Sequence, residues 1–392
     1  MKLLIISSNS PYYEFTGPAL GGAEASLRIV AERFAERGHE VHFLTQGNLI
    51  GSRKIDHNGV EIHFIPPYRV PILGIMSQKF CNLNKKIYSS MLAKNVERIV
   101  KDRGIEIIHS YVTFPDTYTG VVVGKKCNIP VVQRIAGKKT IMEYYINRDN
   151  KNKINWTFDN VDHFFPISDY LEDELRELHR LKEKKINFSV IDIGLDVPKK
   201  KPKIHFDKKN CKTIITSVSS FKSYAKRQDI IIDAVEIISR KRRDFIIQFI
   251  GDGENLRRLK KKVRDKKLDD LVVFLGKRRR SEVLTLLKST HIFIHASESE
   301  GLGKAVIEAM AFGLPIIASD VRAINDYIKN GVNGFLVSND PESFADLILF
   351  LMDNVEIKKK VSSEAYTYAL NNFQSKQNIN LYEKEFSSLI RR

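Results

Sequence analysis

The chain has 392 residues, 43% of them hydrophobic, and a formal net charge of +17. That length exceeds one core and suits two domains. No apolar run approaches the ~18 residues of a membrane span, and three scattered cysteines, Cys81, Cys127 and Cys211, form neither a disulfide framework nor a metal spacing.

The first half reads as alternating strands and helices. Leu3–Ser7 is a short apolar strand, a helix runs from about Ala23 to Glu36, and Val41–Thr45 is the next strand. A βαβ unit with glycines ahead of its helix, here Gly21 and Gly22, opens a doubly wound α/β domain. The start, Met1-Lys-Leu-Leu-Ile-Ile, has too short an apolar core for a signal peptide. Val60–Ile65 is a strand. Arg69–Lys101 carries apolar and basic residues without turn punctuation and should be largely helical. Within it, Pro71–Phe80 is open to two readings, core helix or an interfacial patch on a membrane. Strands follow at Ile105–Tyr111, Pro130–Gly137 and Val161–Ser168, then a Ser-capped helix over Asp169–His179 and a last strand at Val190–Asp196.

A lysine-rich stretch, residues 199–211, preceded by Pro198 and containing Pro202, reads as a linker. The expected division is 1–198 for the first domain, completed by a C-terminal helix over 376–392, and 212–375 for the second. The second domain's strands are Lys212–Val218, Phe245–Gly251, Leu271–Gly276, His291–Ala296, Pro315–Ser319 and Gly331–Val337. From Lys199 to Arg280 there are 26 Lys and Arg against 10 Asp and Glu. Such a region suits a solvated face, an anionic membrane surface or nucleic acid. Arg257–Lys267 has no interleaved aromatic residue, which argues against nucleic acid.

The densest chemistry lies in Ser297–Met310, Ser-Glu-Ser-Glu-Gly-Leu-Gly-Lys-Ala-Val-Ile-Glu-Ala-Met. Glu300-Gly-Leu-Gly-Lys304 is a short glycine turn between a buried strand and a helix that stops at Gly313-Leu-Pro315. Backbone N–H groups and the positive end of a helix dipole then converge on one spot, which suits phosphate. Gly301, Leu302, Gly303 and Lys304 should line that spot, with Glu308 reaching a vicinal diol and Glu300 at the mouth. The pattern predicts a nucleoside diphosphate site.

Glu300 and Glu308, with seven residues between them and the surrounding Ser-Glu-Gly-Leu-Gly and Glu-Ala-Met-Ala-Phe-Gly-Leu-Pro, resemble the motif of retaining GT-B glycosyltransferases of family 4, the "glycosyl transferases group 1". The resemblance implies two Rossmann-like domains facing across a cleft and transfer of a sugar from a nucleotide-diphosphate sugar to an acceptor hydroxyl. The setting it implies is synthesis of envelope polysaccharide, lipopolysaccharide or glycolipid. It implies no metal and no cofactor beyond that co-substrate. The partners implied are the donor, a glycan or lipid-linked acceptor and an anionic membrane surface; the location implied is cytoplasmic, peripheral on the inner face of the cell membrane.

By the same resemblance, Glu300, Lys226, Lys222 and His109 are the catalytic candidates, His109 aimed into the cleft from the end of its strand. Gly22, Ser220, Gly251, Gly276, Lys277 and Arg278 join the Gly301–Lys304 turn and Glu308 as donor-binding candidates. Two departures stand out. Ala136 occupies a place where relatives commonly carry His, and no Arg precedes Lys226 where relatives have one. They motivate one alternative, a subunit that binds nucleotide or glycan without turnover; a second, an epimerase acting on a nucleotide-sugar, follows from the shared architecture.

Overall fold

The computed structural model describes residues 1–12, 15, 22–47, 53–66, 78–138, 140–141, 151–180, 186–192, 194–206 and 211–391. Pro71–Met76, most of the expected interfacial patch, and the loop ahead of Gly22 fall outside them. The chain divides into two compact units, Met1–Gly194 with Ser375–Arg392, and Leu195–Gln374.

The first unit is built on a seven-stranded sheet: β1 (Lys2–Ser7), β2 (Glu40–Gln46), β3 (Arg53–His57), β4 (Val60–Ile65), β5 (Ile107–Ser110), β6 (Val131–Ile135) and β7 (His163–Pro166). Their spatial order is β3-β4-β2-β1-β5-β6-β7. All pairs are parallel except β3–β4. That hairpin was not foreseen, although Asn58-Gly59 between its strands, both at positive φ, is the pair its tight turn requires. The helices are α1 (Gly22–Glu36), α2 (Gln78–Arg103), α3 (Tyr118–Cys127), α4 (Lys151–Asn160), α5 (Asp169–Arg180) and, from the far end of the chain, α12 (Ser375–Ile390). Leu3, Leu4, Ile5 and Ile6 of β1 are fully buried, as expected of a strand covered on both faces. Leu3 and Ile5 pack with Phe34 of α1 and Phe386 of α12; Leu4 and Ile6 pack with Leu92 and Val96 of α2.

The described residues of Val190–Asp196 do not form the expected strand. Ser189 N donates to Phe164 O and Ile191 N to Pro166 O, and the segment keeps single bridges only, so no ladder builds up.

The second unit has six parallel strands: β8 (Thr213–Val218), β9 (Phe245–Ile250), β10 (Val272–Gly276), β11 (Ile292–His295), β12 (Ile316–Ser319) and β13 (Phe335–Val337). Their order is β10-β9-β8-β11-β12-β13, the doubly wound order 3-2-1-4-5-6. Omitting the β3 hairpin, the first sheet has the same order. The helices of this unit are α6 (Gln228–Ser239), α7 (Leu256–Asp265), α8 (Arg280–Lys288), α9 (Lys304–Ala311), α10 (Pro341–Asp353) and α11 (Val355–Asn372). The stretch expected as a linker packs on this unit: Lys201 Nζ donates to Ser362 Oγ at 2.9 Å and Tyr366 Oη to Pro198 O at 2.6 Å.

The basic surplus is partly neutralised within the unit. Lys262 pairs with Asp233 at 2.5 Å, Lys266 with Asp233 at 3.2 Å, and Arg242 with Asp244 at 2.6 Å. Among the described residues no helix is long and apolar enough to cross a membrane.

Candidate active site

In a doubly wound sheet the ligand crevice lies outside the strand carboxyl ends, where the strand order reverses. In the second unit that point is the β8/β11 pair. Two loops leave it. One runs from β8 through Ser219–Arg227 to α6; the other runs from β11 through Ala296–Gly303 to α9.

The loops are sewn together. Ser297 Oγ donates to Ala225 O at 3.1 Å and Glu298 N to Ala225 O at 2.7 Å. Ser297 N donates to Ser319 Oγ at 3.0 Å, and Asn339 Nδ2 to Ser297 O at 2.7 Å. Gly303 caps α9 in the left-handed conformation, φ 76°. A Cβ there would stand 2.9 Å from Tyr327 Oη, whose proton goes to Leu302 O at 2.8 Å. The expected glycine turn therefore exists, and its second glycine answers both to backbone conformation and to Tyr327.

The stitching brings Lys226 and Glu300 together. Lys226 Nζ donates to Glu300 Oε1, and His295 Nε2 reaches the same oxygen at 2.6 Å. Both Glu300 and His295 are nearly enclosed. Burial pushes the Glu300 carboxyl up, but the hydrogen bond and charge of His295, followed by those of Lys226, outweigh it and hold the group at about 2. Glu300 is thus a carboxylate at any physiological pH. A carboxylate only accepts, so His295 donates through Nε2. Its Nδ1 is buried without a hydrogen-bond partner among the described residues. Sequence reading missed His295; its only signal was a polar residue ending an otherwise apolar strand, five positions before Glu300.

Glu308, one turn into α9, lies 3.5 Å from Arg280 Nη2 and 3.9 Å from Lys304 Nζ. Arg280, at the start of α8, was also not foreseen as a partner. Arg227, next to Lys226, is committed to Asp229 at 3.3 Å and Glu298 at 2.9 Å. Lys222, Ser220, Lys277 and Arg278 are exposed on loops at the same carboxyl edge, following β8 and β10.

Gly251 and Gly253 have a different reason to be glycine. A Cβ on Gly251 would lie 1.8 Å from Ser219 O, and one on Gly253 2.3 Å from Phe221 C, so the loops after β8 and β9 touch through their backbones. Gly251 N also donates to Gly276 O at 3.0 Å, tying in the loop after β10.

The first-unit candidates fare differently. Gly22 is the first residue of α1. His109 requires a correction. It is not at the rim but fully buried, its ring 5.7 Å from that of Tyr382 and 5.6 Å from that of Phe386. β5 runs one residue past it, and the pleat turns His109 toward α12 rather than out of the sheet edge. Burial, reinforced by the charge of Arg134, drives its imidazole down to about 3, so it stays neutral. Lys138, two residues after Ala136, pairs with Glu174 at 3.0 Å.

Comparison with known proteins agrees with this geometry in both units. The family model described as "Glycosyltransferase Family 4" matches residues 20–196, and that described as "Glycosyl transferases group 1" matches residues 198–368. The chain is 23% identical to the N-acetyl-alpha-D-glucosaminyl L-malate synthase of Bacillus anthracis, over 95% of this chain and 96% of that protein. It is 23% identical to the alpha-monoglucosyldiacylglycerol synthase of Streptococcus pneumoniae, over 91% of this chain and 81% of that protein. Among solved structures, Anabaena Alr3699/HepE in complex with UDP and glucose superposes with a TM-score of 0.73 at 18% identity, over 99% of this chain and 100% of that one. With two doubly wound units, a glycine turn at the switch point of the second and a family model matched in each, the chain belongs to the group 1 glycosyl transferases of glycosyltransferase family 4 and is a glycosyltransferase with the GT-B fold.

Proposed function

We propose that this enzyme transfers a sugar from a nucleoside diphosphate sugar to an acceptor hydroxyl with retention of anomeric configuration, without a catalytic metal, in the synthesis of an envelope polysaccharide, lipopolysaccharide or glycolipid. The observation that carries the reading is the clamp on Glu300 at the β8/β11 switch point. A carboxylate held ionised by His295 and Lys226 is a fixed acceptor for donor-sugar hydroxyls. Lys226, shared with that carboxylate, stands where a diphosphate would gather charge as the glycosidic bond breaks. Lys222 and the N-terminus of α9 add positive potential to the same edge. Glu308, with Arg280 and Lys304 close by, is suited to the ribose diol. The positive charges supply what a divalent ion otherwise would.

The acceptor is assigned to the first unit, and its class is a glycan or a lipid-linked glycan. The relatives named above act on a small acid in one case and a lipid in the other, to judge by their names, so acceptor chemistry varies on this scaffold. The test is a panel of nucleotide sugars scored by thermal stabilisation, since a ligand that binds only the folded state raises apparent stability. The best donor is then incubated with acceptor glycans and a chelator, and the product anomer is read by NMR. Transfer with an unchanged anomeric configuration supports the reading. Inversion overturns retention, loss of turnover on chelation overturns metal independence, and label that stays on its nucleotide overturns transfer.

A further inference from the structure

On the first unit, three metal-ligating side chains converge on one face of the sheet. His42 sits on β2; Glu61 and His63 sit on β4. The pleat puts residues two apart on one face, and the parallel register sets His42 beside Glu61, so all three share a face of the sheet. Their atoms form a nearly equilateral triangle: His42 Nδ1 to Glu61 Oε1 is 3.1 Å, His42 Nδ1 to His63 Nε2 is 3.1 Å, and His63 Nε2 to Glu61 Oε1 is 3.0 Å. His42 is 1% exposed and His63 8%.

His42 Nε2 lies 3.0 Å from Glu40 Oε1, and a carboxylate only accepts, so Nε2 carries hydrogen. In that tautomer Nδ1 turns a lone pair into the triangle, as a ligating imidazole does, and His63 Nε2, 3.1 Å away, is placed to donate to it when no ion is bound. A carboxylate on the far nitrogen of a ligating His is also the usual outer support of a metal site. An ion about 2.1 Å from each of the three atoms would stand roughly 1 Å out of their plane, leaving a position for water, the arrangement of a two-His, one-carboxylate zinc site.

We propose that His42 Nδ1, His63 Nε2 and Glu61 Oε1 form a Zn²⁺ site that staples β2 to β4, separate from the Glu300 cluster of the second unit. Arg103 Nη2 lies 3.1 Å from Glu61 Oε1 and 3.2 Å from Oε2, and Lys54 Nζ lies 2.9 Å from Oε2, so the ion would share Oε1 with the Arg103 guanidinium. Those cations oppose the ion, and Lys2, 3.2 Å from Glu40, opposes it weakly from farther away. The site therefore binds less tightly than its geometry alone allows.

The test uses the untagged full chain, stripped with a chelator and dialysed. Zn²⁺ is titrated in competition with a chromophoric chelator, and Co²⁺ is added as a visible probe of ligand geometry. The expected result is one Zn²⁺ per chain, a rise in melting temperature with Zn²⁺, and a Co²⁺ spectrum of low coordination number. His63→Ala and Glu61→Gln should each lose at least 100-fold in affinity, and Glu40→Ala roughly 10–100-fold. Lys54→Met should bind more tightly than the parent. Glu61 is partly exposed, so Glu61→Gln remains informative if His63→Ala does not fold. No stoichiometric Zn²⁺, or affinity unchanged in Glu61→Gln and His63→Ala, overturns the proposal.

Discussion

Replacing Glu300 by Gln removes the charge at the centre of the clamp while keeping its shape. In the parent the carboxyl is held at about 2 against an ordinary value of 4.5. That difference corresponds to about 3 kcal/mol of stability in favour of the folded second unit. The loss on breaking a buried pair by removing one partner, about 3–5 kcal/mol, is of the same size. The folded value lies below the unfolded one. The contribution is therefore complete above about pH 4.5 and fades as pH falls toward 2. Urea unfolding of parent and Glu300→Gln, followed by circular dichroism, should show a gap of about 3 kcal/mol at pH 7. By linkage the gap should shrink to about 1 kcal/mol at pH 3. Carboxylates common to both proteins cancel in the difference. A gap below 1 kcal/mol at pH 7, or one that is the same at pH 7 and pH 3, would refute the reasoning, because Glu300 would then not be the ionised centre of a buried cluster.

Glu308→Ala should weaken binding of the nucleoside diphosphate by about 1.5–3 kcal/mol, the value of a hydrogen bond to a charged group, while the melting curve stays cooperative. Calorimetry showing unchanged nucleotide affinity would take Glu308 out of the site. Lys226→Ala should lower kcat by more than it raises KM for the donor, since charge on the leaving diphosphate grows in the transition state; a mutant changed in KM alone would contradict that role. The basic surplus of residues 199–280 should give weak binding to anionic vesicles at low salt, about 1 kcal/mol for each residue that reaches the surface, and sedimentation should show it lost at high salt. Equal sedimentation with neutral vesicles would leave the surplus as a solvated face.

Strands such as Leu3–Ile6 and Ile292–Ile294 were legible from the sequence because a parallel strand covered on both faces must be a continuous apolar run. The Glu300–Lys304 turn was legible for a similar local reason: Gly303 needs a positive φ and the helix that follows needs a start. What the sequence by itself determined was therefore the class of fold, the family and the position of the glycine turn between β11 and α9. Only the tertiary structure decided which side chains meet. Lys226 and Glu300 are 74 positions apart, and they touch because β8 and β11 are neighbours at the switch point. His295 acquires its role from that meeting, not from its own surroundings in the chain. His109 shows the opposite case. A histidine near the end of a strand reads as a rim residue, but the pleat, one residue of strand length and α12 returning from the other end of the chain enclose it among aromatic rings. The triangle of His42, Glu61 and His63 is set by inter-strand register, which couples residues 19 and 21 positions apart and leaves no periodic trace in the sequence.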